Sequence, residues 1–359
     1  MKFDENCLNL IRDLANAKAP SGFEEETLEV VRKYVGDKYL IEEDKFRNLY
    51  LYRKKNTGNK PLVALDAHSD EVGFMVHSIK PNGTIRVVTL GGWTISTLPA
   101  AKVKVRNAEG KWISGVFVSK PKHFVKAEDN KVQPTIADMA IDVGATSDKE
   151  AKEKFKIRIG EPVVPAAEFE YDKENDLMFG KAFDCRVGCA SLIETLRRID
   201  DLDLDVDVVG VLSSQEEVGD RGVKLSANHV KPDIAICFEG CPADDTFTES
   251  YAIQTALRKG PMFRHMDKSA INHHRLQRFI LDLAEEKGMD AQESVREGGG
   301  NDAAIYQTSL EGAPAATAGI PVRYIHSMNC IATYEDFEKT TALVVEILKA
   351  LNKEVIDKL

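Results

Sequence analysis

The sequence has no long run of apolar residues, no internal repeat and no segment of low complexity. A helix that crosses a bilayer needs about 20 consecutive apolar residues, so we expect no membrane partner. Basic residues are too few for a nucleic-acid surface, because 48 lysines and arginines against 58 aspartates and glutamates give a net charge of −10. Residues 1–12 lack the apolar core of a secretory signal peptide. We therefore expect a cytoplasmic protein without nucleic-acid partners.

Cysteine is scarce, with six occurrences in 359 residues. Cys185 and Cys189, and likewise Cys237 and Cys241, are separated by three residues, a spacing that a four-cysteine zinc site could use. Against such a site, Cys237 lies in the apolar run Ile234–Phe238, where a cysteine is usually a small core residue. A non-enzymatic scaffold stabilised by zinc is kept as an alternative.

The remaining composition is that of an ordinary globular protein, with 43% hydrophobic and 30% charged residues. A chain of this length is long for one core, so a large domain with a smaller one is expected. Apolar strand-like segments alternate with amphipathic helical ones, as at 61–66 and 24–36, and Ser21 or Gly22 is expected to cap the second of these. This alternation predicts an α/β fold with a mixed, largely parallel sheet flanked by helices.

From about residue 73 to residue 165 the pattern changes to short β-type segments separated by turns. Examples are Lys102–Arg106 and 156–159, in which apolar and charged residues alternate. The α/β pattern resumes after this part. We therefore predict a small all-β domain, residues 73–165, inserted into a discontinuous α/β domain formed by residues 1–72 and 166–359.

Five β-type segments or turns end on a side chain that can bind a metal ion. These are His68, Asp184, Glu217, Glu239 and His326. Alone, each has an ordinary explanation, such as a loop hydrogen bond or a helix N-cap. In a parallel sheet, however, the carboxyl ends of all strands lie along one edge, so these residues are expected to converge there. The apolar strand Val206–Leu212 precedes Glu217, and the last strand-like segment, 320–325, precedes His326.

Imidazole and carboxylate ligands suit zinc or cobalt and also accept manganese. One bridging carboxylate, with one histidine and one further carboxylate on each ion, holds two ions about 3.5–4 Å apart, as in two-metal hydrolases. A carboxylate outside the ligand set can then act as general base toward a water held between the ions. The adjacent Glu216 and Glu217 fit a division between base and ligand. Asp70 is placed to accept the other N–H of the His68 imidazole.

Four segments occur together in one order: Asp66–Phe74, Phe183–Gly188, Gln215–Gly219 and Tyr324–Ser327. With these segments the chain resembles the M42 family of metallo-aminopeptidases, which includes glutamyl aminopeptidases and the tetrahedral TET peptidases. The resemblance extends over nearly the whole chain. It implies a zinc-peptidase-like fold and an enzyme that hydrolyses N-terminal residues from short peptides.

The resemblance also implies a role for each converging residue. The implied ligands of two divalent ions, zinc or cobalt, are His68 and Glu239 on one ion and Glu217 and His326 on the other, with Asp184 bridging both. Glu216 would be the general base for a metal-bridged hydroxide. The sequence departs from the relatives at Glu239, where most carry aspartate, and the additional methylene changes the reach of the carboxylate. Ser69 and Cys185 also differ from the residues expected in relatives, and neither is given a role.

In this family the inserted β-barrel-like domain, matching residues 73–165, is the dimerisation element, and relatives often assemble dimers into hollow dodecamers. A homo-oligomer is therefore implied. The glycine-rich segment Gly298–Asp302 lacks the Lys-Ser/Thr pair of a phosphate-binding loop. We interpret it as a close-approach loop beside the substrate pocket or as a helix-capping turn.

A second enzymatic interpretation is a glycoside hydrolase that uses paired carboxylates without a metal. Such enzymes need two carboxyl groups about 5–9.5 Å apart across the sugar, and they need no metal-binding histidines. Sensitivity to a chelator separates this hypothesis from the peptidase. The residue pattern leaves the preferred N-terminal residue of a peptide and the native metal open.

Overall fold

The computed structural model describes residues 3–120, 122–124 and 135–359. Residues 1, 2, 121 and 125–134, which fall within the two predicted domains, lie outside the described residues. The strands are β1 (Tyr39–Glu43), β2 (Leu49–Arg53), β3 (Leu62–His68), β4 (Gly73–Ile79), β5 (Ile85–Leu90), β6 (Lys102–Arg106), β7 (Trp112–Phe117), β8 (Ile141–Asp142), β9 (Pro162–Pro165), β10 (Glu170–Asp172), β11 (Leu177–Gly180), β12 (Asp207–Ser213), β13 (Ile234–Pro242), β14 (Met262–Met266), β15 (Gln292–Val295), β16 (Ala315–Val322) and β17 (Cys330–Ala332). The helices are α1 (Glu5–Asn16), α2 (Glu25–Val35), α3 (Asp148–Glu153), α4 (Phe183–Ile199), α5 (Arg221–Val230), α6 (His274–Lys287), α7 (Ala303–Thr308), α8 (Tyr334–Ala350) and α9 (Lys353–Ile356). Among the helices of these described ranges, none is both long enough and apolar enough to cross a membrane.

An eight-stranded sheet forms the larger part of the molecule, in the order β1-β2-β12-β3-β13-β16-β14-β15. The pairs β12–β3, β3–β13 and β13–β16 are parallel, whereas β2 and β14 join these central strands in antiparallel pairs. The predicted α/β class, with a mixed sheet flanked by helices, is confirmed. Because the four central strands run in one direction, their carboxyl ends meet at a single edge.

Burial on both faces explains the continuous apolar runs of the central strands. β12 is buried at every position. In β13, Phe238 packs into the core that α4 and α8 cover, while Cys237 packs on the opposite face with α5 and α7. Asp66 of β3 points to this second face, where its carboxylate accepts a hydrogen bond of 2.8 Å from Tyr306 of α7.

The strands β4, β5, β8, β7, β6 and β9 close, in that order, into a small antiparallel barrel. All of them lie within the range 73–165, and their interior is a separate apolar core that includes Phe74 and Phe117. The barrel contacts the larger unit through Trp112, whose indole N–H donates to the Glu26 carboxylate at 2.7 Å. That this part is a separate dimerisation domain stays a prediction.

The structure corrects three local predictions. Residues 156–159 form no strand, because Lys156 has a φ of 60° and interrupts the extended backbone. The segment 320–325 is neither the last strand nor a strand throughout, since β16 ends at Val322 and β17 follows. Ser21 does not cap α2, because its hydroxyl donates instead to the Asp70 carboxylate at 2.6 Å.

Candidate active site

The five side chains expected to bind metal lie together at the carboxyl edge of the central sheet. His68 is the last residue of β3, and Asp184 lies in the first turn of α4. Glu217 and His326 stand on the loops that follow β12 and β16. Glu239 departs from its expected position at a strand end. Because β13 pairs with β16 as far as Pro242, this glutamate lies inside the strand.

Asp184 stands between the two histidines, and each of its oxygens faces one of them. Oδ1 lies 3.1 Å from His68 Nε2, and Oδ2 lies 3.3 Å from His326 Nε2. Glu239 Oε2 is 3.7 Å from His68 Nε2, and Glu217 Oε2 is 3.4 Å from His326 Nε2. We call the set His68, Asp184 and Glu239 the deep group, and the set Asp184, Glu217 and His326 the shallow group.

The two groups differ in exposure but are similar in their donors. His68 is 1% exposed, whereas the His326 side chain is 33% exposed. Within each group the donor atoms lie within 4.8 Å of one another, close enough to share an ion. Glu217 Oε1 is buried without a hydrogen-bond partner, which is unfavourable unless a further group compensates it. The nitrogen and oxygen donors and this unpartnered oxygen fit two divalent cations.

Local backbone geometry brings Asp184 to the sheet. Ala182 has a φ of 57°, and Asp184 and Cys185 have non-helical dihedral angles although they lie in the first turn of α4. Gly240 of β13 passes so close that a Cβ there would lie 2.7 Å from Asp184 Cα. A glycine is therefore required at this position for Asp184 to approach Glu239.

Burial among like charges shifts the pKa values of the acidic residues. Desolvation is the main cause for the glutamates: it raises the pKa of Glu217 to about 8 and the pKa values of Glu216 and Glu239 well above their usual range. Burial also acts to raise the pKa of Asp184, but hydrogen bonds from the two histidines outweigh it and hold this pKa below its usual range. A nearby cation favours the ionised form of each carboxyl group.

Residues 48–343 match the sequence model of the family described as M42 glutamyl aminopeptidase. The chain belongs to the M42 family. Its members are metal-dependent aminopeptidases, hydrolases that act on peptides, so the resemblance seen in the sequence is confirmed. The deep and shallow groups are side chains that could supply this metal dependence.

Relatives of this M42 chain cover nearly its full length. The glutamyl aminopeptidase of Lactococcus lactis subsp. cremoris strain MG1363 is 31% identical over 348 residues, which are 96% of this chain and 97% of the relative. The TET aminopeptidase from the marine sediment archaeon Thaumarchaeota archaeon SCGC AB-539-E09 has a TM-score of 0.94 at 33% identity, covering 99% of both chains. The TET1 peptidase of Pyrococcus horikoshii, which can assemble into a tetrahedron or a large octahedral shell, has a TM-score of 0.85 at 27% identity, covering 96% of this chain and all of that one (100%).

In this M42 chain Asp70 contacts both His68 of the deep group and the loop that carries Glu216 and Glu217. Its Oδ1 lies 3.3 Å from His68 Nδ1, a charge contact without the alignment of a hydrogen bond. The backbone N–H groups of Glu216 and Glu217 donate to the Asp70 carboxylate at 3.0 and 3.3 Å, and the Ser21 hydroxyl donates to it as well. Asp70 is fully buried, so one carboxylate fixes a strand end and a loop together.

Glu216 belongs to neither the deep nor the shallow group. Its Oε2 lies 3.9 Å from His68 Nε2, and its side chain lines the cleft above the groups. A carboxylate oxygen of Glu216 is within 4.8 Å of donor atoms of His68 and Glu217. Glu216 thus lies beside both groups but outside them. This position is compatible with Glu216 as general base and Glu217 as ligand, and that assignment stays a prediction.

A buried acidic network behind Glu216 was not predicted. The Ser213 hydroxyl contacts the carboxylates of both Asp66 and Asp302, and a carboxylate oxygen of Asp302 lies within 4.8 Å of Glu216. Tyr306 closes the network by donating to Asp66. Asp66, which follows the apolar residues Leu62–Leu65 of β3, is the sequence signal that could have indicated this network, because a buried charge needs partners.

A cleft of about 690 Å³ opens over the two groups. Glu239 and His326 line one part of it, and Gly298–Gly300 line another, so the glycine-rich segment lies beside the cleft. That this segment is a close-approach loop for a substrate stays a prediction. His68 is not among the described residues that line the cleft and therefore lies beneath its floor. The barrel also contributes, because Gly92 lines the cleft and a Cβ there would lie 3.3 Å from His326 Nδ1.

The six cysteines are all unpaired and buried. The thiols of Cys185 and Cys189 donate to the backbone carbonyl oxygens of Phe238 and His68, each at 3.1 Å. In the part of the chain that the structure describes, no candidate metal group contains more than one cysteine. The alternative of a four-cysteine zinc scaffold is therefore not supported.

Proposed function

We propose that this M42 protein is a two-metal aminopeptidase that removes N-terminal residues from short peptides in the cleft. The observation that carries the proposal is Asp184, whose two carboxylate oxygens face two different histidines. The deep group would hold one zinc or cobalt ion and the shallow group the other, with Asp184 shared between them. When bound, such ions polarise a scissile carbonyl group and lower the pKa of the attacking water.

Glu216 is the proposed proton carrier. As the water oxygen bonds to the carbonyl carbon, the Glu216 carboxylate takes the proton, and it gives this proton to the amine nitrogen when the peptide C–N bond breaks. Asp70 supports this role as a positioning residue, because it holds the Glu216 backbone N–H at 3.0 Å. The position of Glu216 on the cleft wall, outside both ligand groups, supports the same assignment.

Glu216→Gln tests the proposal, with Glu297→Gln as the control. Glu297 lines the same cleft but belongs to none of the candidate metal groups. We expect Glu216→Gln to retain two metal ions per chain and to lose about 100- to 10,000-fold in kcat, the usual contribution of a general base. Metal analysis and hydrolysis of aminoacyl p-nitroanilides measure both quantities. Turnover close to the Glu297→Gln value, with both ions bound, would contradict the role of Glu216.

The metal-independent glycoside hydrolase is not favoured, because each of the two histidines lies within 4 Å of at least two carboxylates, an arrangement that a metal-free pair of carboxylates does not need. Removal of metal separates the two functions sharply. The proposed peptidase loses its activity in excess EDTA and regains it when zinc or cobalt is returned. Hydrolysis of a glycan that persists in EDTA would support the glycosidase instead.

We also propose that the protein assembles as a homo-oligomer through the barrel, which would make residues 73–165 the dimerisation domain. Support comes from the assemblies of the TET1 peptidase of Pyrococcus horikoshii and from Val88 and Val116, two barrel valines that are exposed in the single chain. Light scattering of the wild type and of a Val88→Lys, Val116→Lys variant tests this assignment. The unpaired, buried cysteines support a reducing compartment such as the cytoplasm.

A further inference from the structure

Cys185 lies beside the deep group and has no role in the chemistry described so far. Its Sγ atom is within 4.8 Å of donor atoms of His68, Asp184 and Glu239, which are all three members of that group. The side chain is fully buried. A cysteine placed among one imidazole and two carboxylates completes a set of four donors, the number that zinc usually takes.

The geometry allows the sulfur to join the other donors on one ion. Zinc lies about 2.3 Å from sulfur and about 2.0–2.1 Å from nitrogen or oxygen, so donors on one tetrahedral ion stand roughly 3–4 Å apart. Separations within 4.8 Å need only a small adjustment to reach this range. The Cys185 thiol is held by a hydrogen bond to the Phe238 carbonyl oxygen at 3.1 Å, and a thiol is a weak donor. Loss of this weak bond is therefore a small cost when a metal–sulfur bond forms.

We propose that Cys185 is a fourth protein ligand of the deep ion. The deep group would then offer nitrogen, oxygen and sulfur donors, whereas the shallow group offers nitrogen and oxygen alone. The thiol proton is released to solvent as the metal–sulfur bond forms. Because thiolate ligands select soft cations, the deep group favours zinc, cobalt or cadmium, while the shallow group also accepts manganese. The inference rests on the proposed two-metal function.

Cys189 provides a matched control on the same helix. Like Cys185 it is fully buried, and its thiol donates to a backbone carbonyl oxygen at the same distance of 3.1 Å. It belongs to none of the candidate metal groups. Replacement of either cysteine by serine keeps a hydrogen-bond donor of similar size. Cys189 touches the deep group only through the backbone carbonyl oxygen of His68, whereas Cys185 places its sulfur among the donor atoms of the group.

The experiment uses the full chain, freed of metal and refilled anaerobically with two equivalents of Co²⁺. Absorption spectra report a sulfur-to-cobalt charge-transfer band in the near ultraviolet, and metal analysis reports the number of bound ions. We expect the band in the wild type and in Cys189→Ser, and its complete loss in Cys185→Ser. Absence of the band from the wild type, or its persistence in Cys185→Ser, would overturn the proposal.

A measurement on the wild type keeps the test decisive if Cys185→Ser does not fold. With two equivalents of ¹¹³Cd²⁺, the NMR spectrum should contain one resonance shifted strongly downfield by a sulfur ligand and one in the region of nitrogen and oxygen ligands. Two resonances in the nitrogen and oxygen region would exclude Cys185 as a ligand while leaving the two-metal function intact. Failure to bind two ions at all would instead contradict the proposed function.

Discussion

The deep and shallow groups share Asp184 but are built on different parts of the fold. His68 and Glu239 of the deep group belong to β3 and β13, neighbouring strands whose pairing fixes their spacing. Glu217 and His326 of the shallow group stand on loops, and His326 has a φ of 54°. The sheet thus sets half of the candidate site, and the other half depends on the contacts that hold two loops in place.

Asp184→Asn should impair the deep and the shallow group alike, because both contain the Asp184 carboxylate. We expect loss of both bound ions and a fall in kcat/KM of at least about 1,000-fold, since metal activation contributes several kcal/mol and 1.36 kcal/mol corresponds to tenfold. Metal analysis and peptide hydrolysis test this outcome. Asp200→Asn, at the opposite end of α4, is the control and should change neither quantity. Two ions retained by Asp184→Asn would rule out its bridging role.

Asp70→Asn should weaken the contact of Asp70 with His68 and with the Glu216–Glu217 loop, but it removes no proposed metal ligand. The amide keeps one oxygen for the loop N–H groups but loses the charge beside His68, so we expect metal affinity to fall by about 10- to 100-fold. Competition with a chromophoric chelator gives the dissociation constants. Ser21→Ala serves as the comparison, because it removes one hydrogen bond to Asp70 without touching the histidine. Equal affinities in Asp70→Asn and wild type would refute this role.

The histidines should differ in their contribution to folding. In metal-free protein, His68→Ala leaves a buried cavity beside Asp70 and should lower the free energy of unfolding by about 1–3 kcal/mol. Above pH 9, where its imidazole is neutral in both the native and the unfolded state, His326→Ala at a partly exposed loop position should change it by about 0.5 kcal/mol or less. Urea unfolding of both variants in EDTA provides the comparison. Equal losses would show that the two groups are equally integrated into the fold.

Glu217 and His326 of the shallow group should also make the free energy of unfolding of the metal-free protein depend on pH. Burial raises the pKa of Glu217 from 4.5 to about 8. Burial acts to lower the pKa of His326, but the carboxylates of Glu217 and Asp184 together outweigh it and raise this pKa from 6.5 to about 9. Between pH 4.5, the ordinary pKa of a glutamate, and pH 9, the raised pKa of His326, the native state binds more protons than the unfolded chain. The free energy of unfolding therefore falls as pH rises from about 4.5 to about 9. Urea unfolding across this range should show that decline in EDTA and a flatter dependence with metal bound.

Much of the fold and part of the candidate site follow from simple patterns in the sequence. The buried apolar runs of β3 and β12 predict parallel central strands, and a parallel sheet brings their carboxyl ends together. This argument identified His68 and Glu217 as neighbours although 149 positions separate them by number (217 − 68). A different pattern, short alternating segments separated by turns, predicts the inserted β part, and the barrel there has an apolar core of its own.

Other features depend on contacts that no local pattern specifies. The end of β13 could not be predicted, because its length is set by pairing with β16 as far as Pro242. The contact of Ser21 with Asp70 joins segments 49 positions apart, and the approach of Gly92 to His326 joins the barrel to a distant loop. Such contacts arise from packing of whole elements, which periodicity does not describe.

The hydrogen bonds from Glu216 and Glu217 to Asp70 have a consequence for motion in the cleft. Two successive loop amides bound to one buried carboxylate cannot move away from β3 without exposing that charge, so this wall behaves as an extension of the sheet. Gly298 and Gly299 line the same cleft and have no neighbouring atom near the position of an added Cβ, and glycine adopts many backbone conformations. The Gly298–Gly299 part of the cleft lining is therefore freer to change its backbone conformation than the loop held by Asp70.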